Sequence, residues 1–373
     1  MKKHVTFLIL MLGGSRFSFA SNPQVEITPW KNNAKGAYSL IHDDLCRPHS
    51  DGIFDFADPI AFSHDIPFGV GAIVGSCVYR AEEISEKMQR LKSHNHEFIA
   101  HSWNHASSVE LDWKKSEWDV NKDVIETKMV LERMVPGLTV DYFIFPYDAY
   151  NDRRLKELKQ AGYLGARAGK EMYEDRGVNV IFDNFDPFRA NFDVYMSKKE
   201  QDTINAGKNP HPVSKYNDDN DDIELQHAQA AIDQNGWSLQ EFHSVYDDSV
   251  ENESYNGWAP ISLRHYRRLI MFLSEKKKDN SLWVDTPTQV TKYIMTKKYV
   301  RNIVLKDSYI RFSMDPDSDT RYESKVTVKL KLVKTLKKLT QNSVSIPFQK
   351  TSIKNEYIFD VSPFQGDIAV AFE

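Results

Sequence analysis

The stretch Gly36-Ala37-Tyr38-Ser39-Leu40-Ile41-His42-Asp43-Asp44 is a short apolar run that closes on two adjacent carboxylates. Its length suits a buried strand. Neighbouring acids at a strand end are costly to desolvate together, so they point to a cation or a reaction that needs them. Working outward, similar runs follow: PFGVGAIV (67–74), HEFIAHS (96–102), TVDYFIFP (139–146), GYLGARA (162–168), VNVIF (178–182), GWSLQEFH (236–243) and SLWVDT (281–286). Between them, Lys115 to Met134 spaces Trp118, Ile125, Met129 and Leu131 as a core-facing helix does. Ser262 to Phe272 repeats the pattern with Leu263, Tyr266, Leu269 and Ile270. Strands alternating with helices predict an α/β chain whose parallel sheet closes into a barrel, with the strand C-terminal ends sharing one face.

After about Tyr299 the apolar period changes to two. Val326, Val328, Leu330 and Leu332 alternate with Thr327, Lys329 and Lys331, the mark of a half-buried antiparallel strand. Residues 300–373 therefore read as a small, sandwich-like β-domain, with Lys331, Lys334, Lys337 and Lys338 as a solvated face. The barrel is expected over residues 21–299, interrupted at about 197–222 by a polar, charged insertion. The acidic run Asp218 to Asp222 in that insertion lacks the spaced Gly and terminal Glu of a calcium loop.

A chain of 373 residues with 12% aromatics is too rich in ring side chains to be disordered, and its length accommodates one large domain and a smaller one. Lys2 and Lys3 precede the apolar run Val5 to Leu12, and Ser18-Phe19-Ala20 offers small residues for cleavage, so residues 1–20 read as a secretory signal. The expected location is outside the cytoplasm, periplasmic or secreted. No later segment has the length and apolarity of a membrane span. Without Lys2, Lys3 and Arg16 the net charge moves from -5 to -8, which disfavours a nucleic-acid or anionic-lipid partner. Cys46 and Cys77 are the two cysteines. In an exported chain they form either one bridge or two buried thiols; both follow apolar runs, at the same end of strands expected to be adjacent.

His101-Ser102-Trp103-Asn104-His105 follows Phe98-Ile99-Ala100, placing two imidazoles at a strand end. With an acid from Asp43-Asp44 they make three ligands for a divalent cation and leave open positions for water and substrate. Such a metal lowers the pKa of its water to about 7, and the second carboxylate takes the proton as the water attacks a carbonyl. Departure of an amine then needs an acid. His243, ending a late strand, suits that role, with a hydrogen-bonded core histidine as the alternative.

In their order these motifs resemble the polysaccharide deacetylases, carbohydrate esterase family 4. That family combines a strand ending in two aspartates, H-[ST]-x-x-H, an R-x-P-[YF] turn and a late strand ending in His. The matching positions are His42-Asp43-Asp44, His101-Ser102-Trp103-Asn104-His105, Ile144-Phe145-Pro146-Tyr147 and Phe242-His243. The resemblance covers about residues 30–297 and implies a distorted (β/α) barrel with fewer than eight regular strands. It also implies Asp43 as general base, His243 as general acid, and Asp44, His101 and His105 as metal ligands. Tyr147 would offer its backbone N–H to the oxyanion. Zinc is the expected metal, with cobalt, nickel or iron as alternatives for two imidazoles and a carboxylate.

The chain departs from the family where Ile144 replaces Arg, since an aliphatic side chain cannot orient the base carboxylate as a guanidinium does. Arg167 either supplies that charge from another strand or forms an ordinary salt bridge. Asp186 in Asn184-Phe185-Asp186-Pro187-Phe188 is read as a relic of the family's partner motif. Trp103, Trp237 and Trp258, with Pro146 and Arg167, form the expected substrate-binding set, core packing being the alternative for each Trp. His94 and His96 are read as flanking a helix end. Three activities fit: N-deacetylation of an N-acetylhexosamine glycan, O-deacetylation on the same scaffold, or silent glycan binding. A pure binder needs neither Asp43 nor His243. In each case the expected partner is an acetylated glycan.

Overall fold

The computed structural model describes residues 23–168, 178–179, 184–194, 223–247, 249 and 260–373. The expected leader, the polar insertion and Trp258 lie outside them. The strands of the barrel are β2 (Gly36–Leu45), β3 (Gly69–Ala72), β4 (Glu97–Ala100), β5 (Tyr142–Ile144), β6 (Gly165–Arg167), β7 (Asp193–Val194) and β8 (Trp237–Phe242), preceded by β1 (Gln24–Ile27). They are hydrogen-bonded in the order β6-β5-β4-β3-β2-β8-β7, every pair parallel. A single parallel bridge from Arg167 to Ala190 carries the curled sheet back from the β7 segment to β6. A short parallel pair, β9 (Val245–Tyr246) with β10 (Ile261–Ser262), follows β8, and β11 (Leu282–Val284) adds to β2. This is the curled (β/α) barrel expected from the alternating runs.

β2 runs through the centre, flanked by β3 and β11 on one edge and β8 on the other, and nearly all of its residues are buried. That position aims Asp43 and Asp44 into the middle of the strand-end face. Helix α1 (Asp58–Ser63), α2 (Val74–Tyr79), α3 (Ala81–Ser93), α4 (Thr127–Met134), α5 (Asp152–Gln160), α6 (Ile223–Asp233), α7 (Leu263–Lys278) and α8 (Pro287–Tyr299) complete the layer. In α7, Leu263, Tyr266, Leu269 and Ile270 are buried as their spacing predicts. Ser262 caps this helix by accepting from the His265 N–H, and Lys276 to Lys278 meet its C-terminal dipole. The expected helix from Lys115 begins only at Asn121, as a π-helical turn running into α4. Leu131 is buried there, but Ile125 and Met129 are 40% and 53% exposed, because the π turn rotates the apolar stripe away from the sheet.

Cys46 and Cys77 are joined in a disulfide, with Cα atoms 4.9 Å apart. β2 and β3 are neighbours as expected, but Cys77 sits on α2 after β3 has ended.

The C-terminal strands are β12 (Val300–Lys306), β13 (Tyr309–Met314), β14 (Val326–Lys331), β15 (Leu336–Gln341), β16 (Val344–Ile346), β17 (Gln349–Lys350), β18 (Glu356–Val361) and β19 (Ile368–Phe372). They form two antiparallel sheets around a core that includes Val328, Leu330, Leu339, Phe359 and Ile368. The division at residue 300 needs correction on one side: β1 pairs with β14, so the chain starts in the sandwich before entering the barrel. Val25 and Ile27 alternate inward like the strands beside them, which is why β1 docks there. The two parts also share a core, where Tyr322 and Val326 pack with Trp30, Tyr142, Ile144, Trp237 and Tyr293. Tyr293 on α8 hydrogen-bonds with Thr28, and Tyr322 donates to the Leu164 carbonyl.

Candidate active site

Asp44 ends β2, and His101 and His105 follow β4. The Nε2 atoms of His101 and His105 lie 3.7 and 3.6 Å from the same Asp44 oxygen, Oδ1. That oxygen is buried and has no hydrogen-bond partner. The Ile144 carbonyl accepts at 3.0 Å from His101 Nδ1, which fixes the proton there and leaves Nε2 with a free lone pair. Burial, then the charge of His101, lowers His105 to about 3, so its imidazole is neutral at physiological pH. Burial alone would raise Asp44, but hydrogen bonding to His49 and the charges of His243, His105 and His101 outweigh it and hold the carboxyl well below its usual range. One atom from each of Asp44, His101 and His105 lies within 4.8 Å of the others. Two imidazoles and an ionised carboxylate facing one point fit a divalent transition-metal ion with positions left open.

The backbone around this point is strained. Asp44, Ser102, His105, Tyr147 and Asp148 all have φ between 53 and 62°, in the left-handed region that non-glycine residues seldom occupy. Such outliers persist where the surrounding structure over-determines them, often at functional sites. Here they turn each strand end so that its side chain faces the centre. Gly71 opposite leaves room, since a Cβ there would come within 3.0 Å of Asp43 Oδ1.

Asp43 faces a second cluster. Arg167, at the end of β6, places Nη2 2.8 Å from Asp43 Oδ2, 3.0 Å from Glu241 Oε2 and 3.0 Å from Asp148 Oδ1, the last a hydrogen bond. The guanidinium carbon also lies 4.5 Å from the centre of the Phe192 ring. Burial raises Asp43, but Arg167, His101 and His243 outweigh it and keep the carboxyl ionised below its usual range. For Glu241 burial wins, reinforced by Asp43 and Asp148, and its pKa is raised well above the usual value despite Arg167. His243, held neutral chiefly by burial, places Nδ1 3.6 Å from Glu241 Oε1. His42 secures this strand end, donating from Nδ1 to the His243 carbonyl at 2.6 Å and accepting from the Tyr266 hydroxyl at 3.2 Å. Its role is structural.

Residues 68–166 match the polysaccharide deacetylase family model. The curled parallel sheet that contains this stretch is consistent with the (β/α) barrel of a polysaccharide deacetylase. No curated protein matches the chain. Similar solved structures include the peptidoglycan deacetylase PdaC from Bacillus subtilis, at 14% identity and TM-score 0.40 over 72% of this chain and 93% of that one. A carbohydrate esterase domain of a xylanase from the hindgut metagenome of Trinervitermes trinervoides has 13% identity and TM-score 0.36, over 67% and 87%. A family 4 pseudoenzyme from Bacillus anthracis has 13% identity and TM-score 0.40, over 69% and 66%.

The deacetylase match includes His101, His105, Pro146 and Tyr147 and stops one residue before Arg167. Ile144 is fully buried and contributes its carbonyl to His101, while Arg167 supplies the guanidinium beside Asp43. Arg167, expected among the substrate-binding residues, is instead only 2% exposed and lies behind the carboxylates. Pro146 is buried and starts the 3-10 turn that presents Tyr147. Trp237, also expected to bind substrate, is instead fully buried with its indole N–H donating to Ser39 Oγ. Trp103 is half-buried, with Lys122 Nζ 3.6 Å over its ring. Asp186 is near Lys159 and Arg189, and the partner carboxylates of Arg167 are instead Asp43, Asp148 and Glu241.

Asp148, Glu241 and His49 escaped the sequence reading. Glu241 carried a signal, as an acid within the apolar run of β8. His94 and His96 do more than flank α3: both point at buried Asp58, whose other oxygen accepts from Arg90 at 2.6 Å. Phe68 N–H donates to His96 Nδ1, so Nε2 carries the proton and donates to Asp58. This cluster is a hydrogen-bond network that Arg90 closes through the second Asp58 oxygen. A cavity of about 750 Å³ near His96, Glu97, Asp141 and Trp283 lies at the opposite ends of the strands.

Proposed function

We propose that this chain is a metal-dependent hydrolase that removes N-acetyl groups from an N-acetylhexosamine-containing glycan. One observation carries the reading: the Asp44, His101 and His105 donors converge beside an arginine-held Asp43, with His243 on the neighbouring strand. A divalent ion held by Asp44, His101 and His105 supplies Lewis-acid polarisation of the acetyl carbonyl and acidifies water at neutral pH.

Asp43 is the base. Arg167 occupies its Oδ2 side and keeps the group ionised, while Oδ1 is buried without a partner and is free to take the proton from the attacking water. The backbone N–H of Tyr147 faces the oxyanion as the carbonyl carbon becomes tetrahedral. His243, in its protonated form, gives a proton to the departing nitrogen as the C–N bond breaks, and the proton taken up by Asp43 restores it, leaving acetate and a free amine. Glu241 Oε1 lies 3.6 Å from Nδ1 of that imidazole. The Cys46–Cys77 bridge supports an oxidising compartment, in keeping with export.

The test is acetate release by the metal-loaded protein from N-acetylglucosamine oligomers and from acetylated xylan, with and without chelator. Chelator-sensitive release from the oligomers is expected. Release from xylan alone makes the protein an O-acetyl esterase, and no release from either overturns hydrolysis.

A further inference from the structure

Trp113 is 64% exposed, although large aromatic surfaces are normally withdrawn from water. It stands in a turn closed by reciprocal backbone bonds, Leu111 N–H to Lys114 O at 2.9 Å and Lys114 N–H to Leu111 O at 3.1 Å. Its ring meets Tyr147 edge to face, with centroids 5.2 Å apart and planes at 86°. Tyr147 in turn meets His105 at 4.5 Å and 69°, and Lys114 Nζ sits 5.1 Å from the Tyr147 centroid. An aromatic path therefore leads from a metal-donor histidine to a projecting indole.

The two centroid steps of 4.5 and 5.2 Å place Trp113 no more than about 10 Å from His105. The turn fixes the indole before any ligand arrives, so little entropy is lost on contact. Glu110, Asp112, Lys114 and Lys115 surround Trp113 in sequence, so it is not part of a continuous apolar run. A protein interface needs a broader apolar patch. A pyranose ring is a better match, because its C–H face packs on an aromatic plane while its hydroxyls stay in water or meet the flanking charges. Trp30, Trp237 and Trp283 are buried, and Trp103 and Trp118 pack against the barrel core, so none offers a comparable surface among the described residues.

We infer that Trp113 is a glycan-binding subsite that stacks the sugar next to the acetylated residue and selects oligosaccharide over monosaccharide. The inference rests on the proposed glycan deacetylation, because it needs the reacting sugar seated at Asp44, His101 and His105. Trp113 lies outside the reacting groups and acts as a specificity-determining residue.

The metal-loaded wild type, Trp113→Ala and Trp113→Phe are compared on a chromogenic acetyl ester and on an N-acetylglucosamine pentamer, with pentamer binding followed separately by calorimetry. Trp113→Ala is expected to leave turnover of the ester unchanged while raising KM for the pentamer roughly tenfold and weakening its binding to match. Trp113→Phe should recover part of the loss. Equal losses on both substrates, or unchanged pentamer binding and KM, overturn the subsite. If the wild type releases no acetate, the deacetylase reading fails, and calorimetry still decides the subsite: unchanged pentamer affinity in Trp113→Ala rejects it.

Discussion

Arg167 and Asp43 form an ion pair at 2.8 Å although their strands, β6 and β2, are four positions apart in the sheet. They meet only because the sheet curls until its strand ends face one another. The same guanidinium gathers Asp148 and Glu241, so one buried cation serves three acids.

Arg167→Ala should leave those carboxylates buried without their cation and cost about 3–5 kcal/mol, read from denaturant unfolding. Arg167→Lys keeps the charge but loses the planar fork, and should fold while losing on the order of 10² in kcat through misplacement of Asp43. Placing Arg at 144 in the Arg167→Ala background should not restore activity, because Ile144 is packed in the barrel core. A wild-type rate in Arg167→Lys would remove the residue from any positioning role.

Ligand and proton-transfer residues should separate in metal content. His101→Ala and His105→Ala are expected to lose the ion, whereas Asp43→Asn and His243→Ala keep about one per chain and lose on the order of 10²–10⁴ in rate. Elemental analysis alongside acetate release distinguishes them, and loss of metal from Asp43→Asn would make Asp43 a ligand.

Burial raises Glu97 to about 7, only partly offset by hydrogen bonds from Thr288 and Thr286. A carboxyl raised on folding favours the native state fully below its unfolded pKa of about 4.3, and that contribution is lost as pH rises toward 7. Between pH 5 and pH 8 the wild type should therefore lose on the order of 2–3 kcal/mol relative to Glu97→Gln. Parallel stability curves for the two proteins would show that Glu97 is not desolvated in this way.

A chain ending at Tyr299 should fail to reach a stable fold. It loses β14, the partner of β1, and it loses Tyr322 and Val326 from the core around Trp30, Tyr142 and Tyr293. Thermal unfolding and binding of a hydrophobic dye would report the exposed surface. A cooperative transition at the wild-type temperature would mean that the barrel stands alone.

The sequence by itself determined where strands end and which chemical groups those ends carry. Apolar runs mark the barrel strands and their ends, and strand C-terminal ends share one face of a barrel, so Asp43, Asp44, His101, His105 and His243 could be placed there before any contact was known. The change of period near Tyr299 separated sandwich strands from barrel strands, because alternation marks burial phase residue by residue. Tertiary structure alone decided which buried charge meets which. Arg167 supplies the guanidinium missing at 144 because the curl brings β6 to β2. Glu241 reaches both Arg167 and His243, and β1 leaves the barrel for β14. Trp237 and Trp113 are both aromatic in sequence, but Trp237 lies inside the closed sheet and Trp113 on a projecting turn. Strand pairing and sheet closure are non-local, and a periodicity that records only whether a side chain is buried holds no information about its partner.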